Sequence, residues 1–74
     1  MADDIDPEVP RWLGAYAEAL GLAAPTASEI TELLDLAGVA ARASARQAAP
    51  IACWLAARSG VDPAEAARVA TSVT

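Results

Sequence analysis

The chain has 74 residues, ten acidic against five basic side chains, no histidine and one cysteine, and its net charge is −5 at pH 7. A chain of this length forms one small domain, and a single cysteine excludes an internal disulfide. The negative charge argues against nucleic acid as a general partner, and the absence of histidine removes the commonest general base and metal ligand.

The sequence shows neither a secretory signal nor a membrane segment. Its first residues, MADDIDPE, are acidic, whereas a signal peptide needs a basic start and an apolar core. No apolar run approaches the roughly 20 residues of a membrane span, so a membrane is not an expected partner. We expect a cytoplasmic protein, with residues 1–8 as a flexible acidic arm and residues 9–74 as a single helical domain.

Prolines and glycines divide the chain into four segments with helical apolar spacing, and alanine, the best helix former, is abundant. No segment alternates with the period of a strand. We predict an all-α fold, either a compact four-helix bundle or an orthogonal helical cluster. The helices are expected at about residues 10–20, 27–43, 50–59 and 63–73.

The start of the first helix is ambiguous and its end is clear. Asp6 could cap the helix with Pro7 as its first residue, but Pro10 would then lie where its missing N–H starts to matter. Pro10 is therefore preferred as the first helical residue. Gly21 is expected as the left-handed residue that ends the helix.

The second helix opens on Thr26-Ala27-Ser28-Glu29, which has the form of a capping box. Its apolar side chains lie on two faces, which is typical of a central helix with several neighbours. Gly38 falls within this helix, where it costs about 1 kcal/mol relative to alanine. We interpret it as permitting a close crossing by another helix.

The stretch RASARQAAPIACW, residues 42–54, decides where the third helix begins. Ser44 has the form of a cap, but Pro50 would then interrupt the helix, so Pro50 is placed at the first helical position. Gly60 ends this helix. The fourth helix opens on an aspartate cap, Asp62, followed by Pro63 at the first position.

The predicted core consists of the large apolar residues on the inward stripes of the four helices. They are Trp12, Leu13, Tyr16, Leu20, Ile30, Leu33, Leu34, Ile51, Trp54, Leu55 and Val69. Cys53 lies among apolar neighbours and is expected to pack as a small buried side chain.

No catalytic, cofactor-binding or metal-ligating constellation emerges from the sequence. Serine, threonine and cysteine nucleophiles lack a histidine or lysine base, and the acids of the second helix are interpreted as a solvated face. The Asp3-Asp4-Asp6 run lacks the glycine and glutamate of a calcium loop. We expect a protein that is not an enzyme and uses no cofactor or metal.

One group of residues is a candidate interaction or anion site: Arg42, Arg46, Gln47 and Pro50. A helix N-terminus presents free N–H groups, and guanidiniums beside it would complete a small site for a phosphate or carboxylate. The alternative is a plain helix boundary. Arg42 would then answer the negative end of the second helix, and Arg46 would pair with a surface acid.

The stretch RQAAPIACWLAARSG resembles the most characteristic part of a small bacterial all-helical domain family of unknown function, the DUF6457 type. The residues that match its Arg-x-Ala-Ala-Pro turn and aliphatic helix are Arg46, Ala48, Ala49, Pro50, Ile51, Trp54 and Leu55. Residues 12–22 and 30–42 also resemble the family's first two helices. The family usually has proline where this chain has Gln47, which leaves the turn less rigid.

Members of this family occur alone or fused to MobA-like nucleotidyltransferases, which make molybdopterin-guanine dinucleotide. The resemblance therefore implies a link to molybdenum cofactor biosynthesis. This chain has neither the transferase's glycine-rich nucleotide loop nor its metal-binding carboxylates. The leading hypothesis is a non-catalytic accessory module that binds such an enzyme. The alternatives are a small-anion binding domain using Arg42 and Arg46 at a helix N-terminus, and a homo-oligomeric bundle with a structural role.

Overall fold

The structure, a computed structural model, describes residues 5–73, which contain four helices and no strand. They are α1 (Glu8–Ala19), α2 (Ala27–Ala43), α3 (Ala48–Ser59) and α4 (Pro63–Thr71). The all-α prediction is confirmed, and every predicted helix end lies within two residues of the observed one. Residues 1–4 of the predicted arm, and residue 74, lie outside the described residues. The chain divides into two compact units, one ending at Thr31 and the other beginning at Glu32.

Helix α1 begins two residues before the predicted Pro10. The Asp6 carboxylate accepts a hydrogen bond from the Glu8 N–H at 2.9 Å, and the Asp6 carbonyl accepts one from the Val9 N–H at 2.9 Å. Pro10 is therefore the third helical residue. Its missing N–H costs nothing there, because the first four N–H groups of a helix have no acceptor within the helix.

The end of α1 follows the prediction. Gly21 adopts a positive φ of 78°, which a glycine reaches without a steric penalty. The Leu22 N–H donates to the Ala17 carbonyl at 2.8 Å, and the Gly21 N–H donates to the Glu18 carbonyl at 3.0 Å. This pair of bonds is a Schellman motif, and it satisfies two carbonyls that the helix leaves without partners.

Helices α2 and α4 also begin as predicted. The Thr26 N–H donates to the Glu29 carboxylate at 2.8 Å, and the Glu29 N–H donates to the Thr26 hydroxyl at 3.1 Å, which completes the capping box. At the start of α4, the Asp62 carboxylate accepts from the Glu65 N–H at 3.0 Å, and Pro63 is the first helical residue. Local side-chain chemistry therefore fixes both starts.

The core of the second unit is built mainly from small side chains. Leu36 of α2 and Ala66 and Ala67 of α4 are buried, with exposed fractions of 3%, 8% and 7%. The apolar residues packed against them are Leu33, Ala52, Cys53, Ala56 and Ala70. Five of these eight residues are alanines and a sixth is Cys53, so the helices of this unit meet mainly through small side chains.

The predicted core is wrong for most of its large side chains. Ile30 is buried, and Leu13 and Leu33 are half-buried. The others are exposed: Trp12, Tyr16, Leu20, Leu34, Ile51, Trp54, Leu55 and Val69. In the second unit the reason is geometric. Because α3 and α4 turn alanines and Cys53 toward the core, the large side chains at the neighbouring positions are carried to the outside.

Candidate interaction face

The start of α3 differs from the prediction. The helix begins at Ala48, so Pro50 is its third residue rather than its first. The Ala48 N–H donates to the Ala45 carbonyl at 2.9 Å, and the Ala49 N–H donates to the Arg46 carbonyl at 3.1 Å. Pro50 fits at the third position for the same reason as Pro10 does in α1, since no helical acceptor exists there for its missing N–H.

These bonds bear directly on the candidate anion site. The first two N–H groups of α3 are already engaged by carbonyls of the preceding turn, and Pro50 has no N–H to offer. The side chain of Gln47, at the N-cap, makes no capping hydrogen bond. The first three residues of α3 therefore offer an anion no free backbone N–H. An anion at this helix start would depend on guanidinium groups instead.

Arg42 lies along its own helix. The atoms nearest to a Cβ placed on Gly38 belong to the Arg42 guanidinium, the closest being Nη1 at 3.2 Å. The space at Gly38 is thus occupied by a side chain of the same helix, and the predicted close crossing by another helix is wrong. Arg42 stands in the last turn of α2, where a cation is favourable beside the helix C-terminus.

The four candidate site residues belong to two helices and to the turn between them. Arg46 is exposed, and within residues 5–73 its guanidinium has no hydrogen-bond or ion-pair partner. The structure places the four residues along a helix end, a turn and a helix start.

Helix α3 instead presents a face of large apolar side chains that the sequence argument assigned to the core. Ile51, Trp54 and Leu55 are 58%, 56% and 56% exposed. Their spacing of three and four residues places them side by side on the helix surface. The Arg58 guanidinium lies over the Trp54 ring, 4.8 Å from its centroid, in cation–π geometry. We call these four residues the α3 face.

The opposite side of α3 holds the helix to its unit. Ala52, Cys53 and Ala56 pack against the buried cluster, and the Cys53 thiol lies 3.9 Å from the Leu33 carbonyl, to which it can donate a weak hydrogen bond. Burial raises the pKa of the Cys53 thiol above its ordinary value. The thiolate is the reactive form of cysteine, so a raised pKa lowers the reactivity of this thiol at neutral pH.

A second exposed apolar stripe lies on α1, in the first unit. Trp12 and Tyr16, one turn apart, stack with ring centroids 5.0 Å from each other, and Leu20 follows one turn later. All three side chains are exposed. On this helix the Arg11 guanidinium forms an ion pair with the Glu8 carboxylate, which neutralises its charge.

In the part of the chain that the structure describes, no three histidine, cysteine, aspartate or glutamate side chains come together as a metal site would require. None of the helices of residues 5–73 is both long enough and apolar enough to cross a bilayer.

Comparison with known protein families matches residues 5–74 to the domain of unknown function DUF6457. The chain belongs to this family. The match confirms the family resemblance drawn from RQAAPIACWLAARSG, a stretch that contains the turn before α3 and the whole of α3 in this DUF6457 domain. Searches of curated proteins and of solved structures give no match.

Proposed function

We propose that this DUF6457 domain is a non-catalytic protein-interaction module that binds its partner through the α3 face. The observation that carries the proposal is the exposure of Ile51, Trp54 and Leu55 on a helix whose small residues face inward. Burying a large apolar side chain is worth about 1.5–3 kcal/mol, and tryptophan is enriched among the residues that dominate binding energy. Covering this face would therefore supply substantial binding energy.

The partner we propose is a MobA-like nucleotidyltransferase in the cytoplasm, which would make the domain an accessory subunit of molybdenum cofactor biosynthesis. Support comes from the family resemblance, because family members fused to such enzymes would hold the two domains side by side. The composition supports a non-catalytic role. With neither histidine nor lysine in the chain, the usual bases that activate a nucleophile are missing.

The test is a ¹⁵N–¹H correlation spectrum of the labelled domain, with and without the catalytic domain of a MobA-like nucleotidyltransferase from the same cell. We expect shifts clustered on residues 51–58. Trp54→Ala should abolish them, whereas Val69→Ala, which truncates an exposed apolar side chain of α4, should leave them in place. An unchanged spectrum, or equal shifts with Trp54→Ala, would refute this assignment of partner and face.

A homo-oligomer is the second candidate, because exposed apolar side chains occur on α1 as well as on α3. A chain of this size has a small core, and association with copies of itself is a common way to stabilise one. Sedimentation equilibrium decides the matter. A mass that rises with concentration toward a multiple of 7.5 kDa supports the oligomer, and the mass of one chain throughout excludes it.

A further inference from the structure

The part of the sequence that contains the α3 face carries charge of one sign. From Leu36 to Val61 the chain contains three arginines and no aspartate or glutamate, although acids outnumber bases two to one over the whole chain. Arg46 stands two residues before α3 begins, and Arg58 stands in its last turn. The exposed apolar residues of α3 are thus bracketed along the chain by cations.

These cations are not neutralised by acids of the described chain. Arg11 and Arg68 each pair with a glutamate three residues earlier in their own helix. Within residues 5–73, Arg46 and Arg58 have no such ion pair. Arg58 rests on the Trp54 ring instead, and a guanidinium stacked on a ring keeps the N–H donors at its edge available for a carboxylate.

We propose that the α3 face receives an acidic amphipathic helix of a partner protein, a statement that rests on the proposed function and names the chemistry of the partner. The large apolar side chains of that helix would cover Ile51, Trp54 and Leu55. Its flanking carboxylates would pair with Arg46 and Arg58. From residue 51 to residue 58 the face extends about 10 Å along the helix, so two to three turns of a partner helix cover it.

The charge distribution favours a protein segment over two other anionic partners. Binding to a nucleic acid backbone relies on many phosphate contacts, whereas the α3 face has one arginine, Arg58, and only Arg46 precedes it nearby in the turn before α3. Anionic membranes, like nucleic acids, repel a chain with a net charge of −5. A helix with its own carboxylates beside an apolar stripe places a few negative charges where the cations are and covers the apolar centre as well.

The test uses the full ¹⁵N-labelled chain and three synthetic helical peptides of equal length. The first has leucines at helical spacing flanked by glutamates, the second has lysine at every glutamate, and the third is a scrambled form of the first. We expect the glutamate peptide alone to shift the amides of residues 51–58, with an affinity that falls as salt is added. Binding by both charged peptides alike, by the scrambled peptide, or by none would overturn the proposal.

A charge reversal then tests the role of Arg58. Arg58→Glu should weaken binding of the glutamate peptide at least tenfold and shift the preference toward the lysine peptide. Arg11→Glu changes the net charge by the same amount on another helix and should leave the preference unchanged. An unaltered preference in Arg58→Glu, or tighter binding to vesicles containing phosphatidylglycerol than to the glutamate peptide, would refute the acidic-helix assignment.

The outcomes separate this inference from the proposed function. If the glutamate peptide binds the α3 face and the nucleotidyltransferase does not, the face and its partner chemistry stand and the partner is another protein. If the nucleotidyltransferase binds through Trp54 with no effect of salt or of Arg58→Glu, the proposed function stands and the acidic helix is refuted.

Discussion

The Arg58 guanidinium lies over the ring of Trp54, 4.8 Å from its centroid, and both residues are exposed on α3. The largest side chain of the second unit thus lies against a cation at the surface, while the interior consists of Leu36 and mainly small side chains. A large side chain in this unit is therefore not necessarily one on which stability depends, and two substitutions test this.

Trp54→Ala is expected to lower the free energy of unfolding by less than about 1 kcal/mol, because Trp54 is 56% exposed and alanine is the better helix former. A tryptophan in a packed core costs about 3–5 kcal/mol when truncated to alanine. Urea denaturation followed by circular dichroism measures the difference. A loss in the larger range would mean that Trp54 is a core residue, as its position in the sequence first suggested.

Ala67→Leu is the matched opposite change, since it enlarges a small side chain that is buried. Ala67 belongs to the cluster with Leu36 and Ala66, where extra methyl groups have no room without displacement of a helix. We expect a loss of about 1–3 kcal/mol in the same urea experiment. If Ala67→Leu left the free energy of unfolding unchanged while Trp54→Ala lowered it by several kcal/mol, the assignment of Ala67 to the core and of Trp54 to the surface would be wrong.

The sequence predicts the helices of this fold well because their boundaries are set by local chemistry. The Thr26–Glu29 box, the Asp62 cap and Gly21 act within a few residues of themselves, so the order of residues is enough. The starts of α1 and α3 were predicted two residues too late, at Pro10 and Pro50. A proline is tolerated throughout the first turn of a helix, so its position does not fix the first residue.

The core could not be predicted in the same way, because α3 carries two apolar stripes. Ile51, Trp54 and Leu55 form one, and Ala52, Cys53 and Ala56 form the other, with similar helical spacing. Hydrophobic size favours the first stripe as the core, whereas the structure buries the second. The choice depends on how closely neighbouring helices approach, which a single sequence does not specify. The α3 face was missed for this reason.

Gly38→Ala and Gly60→Ala are expected to change stability in opposite directions. At Gly38 a new Cβ meets only the tip of the Arg42 side chain, at 3.2 Å, and that flexible group can move aside. The helix then gains the alanine preference, about 0.5–1 kcal/mol. At Gly60 the φ of 83° forces a side chain into the left-handed region, which costs about 1–2 kcal/mol.

Thermal unfolding of both glycine variants beside the parent chain provides the measurement. Nothing lies within 4 Å of a Cβ at Gly60, so any loss there comes from backbone strain rather than a clash. Gly60→Asn is a suitable control, because asparagine tolerates a positive φ better than alanine and should recover part of the loss. Destabilisation by Gly38→Ala would indicate that Arg42 is held rigidly in its place.

Thr26→Ala is expected to destabilise the chain by about 1 kcal/mol, because it removes the acceptor for the Glu29 N–H at the start of α2. Ser28→Ala, two residues later in the same turn, removes a hydroxyl that is not part of the capping box and should change the free energy of unfolding by a few tenths of that amount. Chemical denaturation of the two variants supplies the comparison, and equal effects would contradict the cap.

The Cys53 thiol should make stability depend on pH under alkaline conditions. Burial raises its pKa in the native state. The unfolded chain keeps the ordinary thiol pKa of about 8.5. Above that value the unfolded state loses its proton first and binds fewer protons than the native state, so the free energy of unfolding falls as pH rises. This contribution to stability is fully present below the unfolded pKa and is lost as the pH rises through the native pKa.

Urea unfolding at neutral and alkaline pH, compared between the parent chain and Cys53→Ala, separates the contribution of this thiol from that of other groups. The parent should lose more stability on going to alkaline pH than Cys53→Ala does, and its thiol should react slowly with iodoacetamide while folded. Equal pH dependence in the two proteins, together with rapid alkylation of the folded chain, would show that Cys53 is not shielded by the α3 packing.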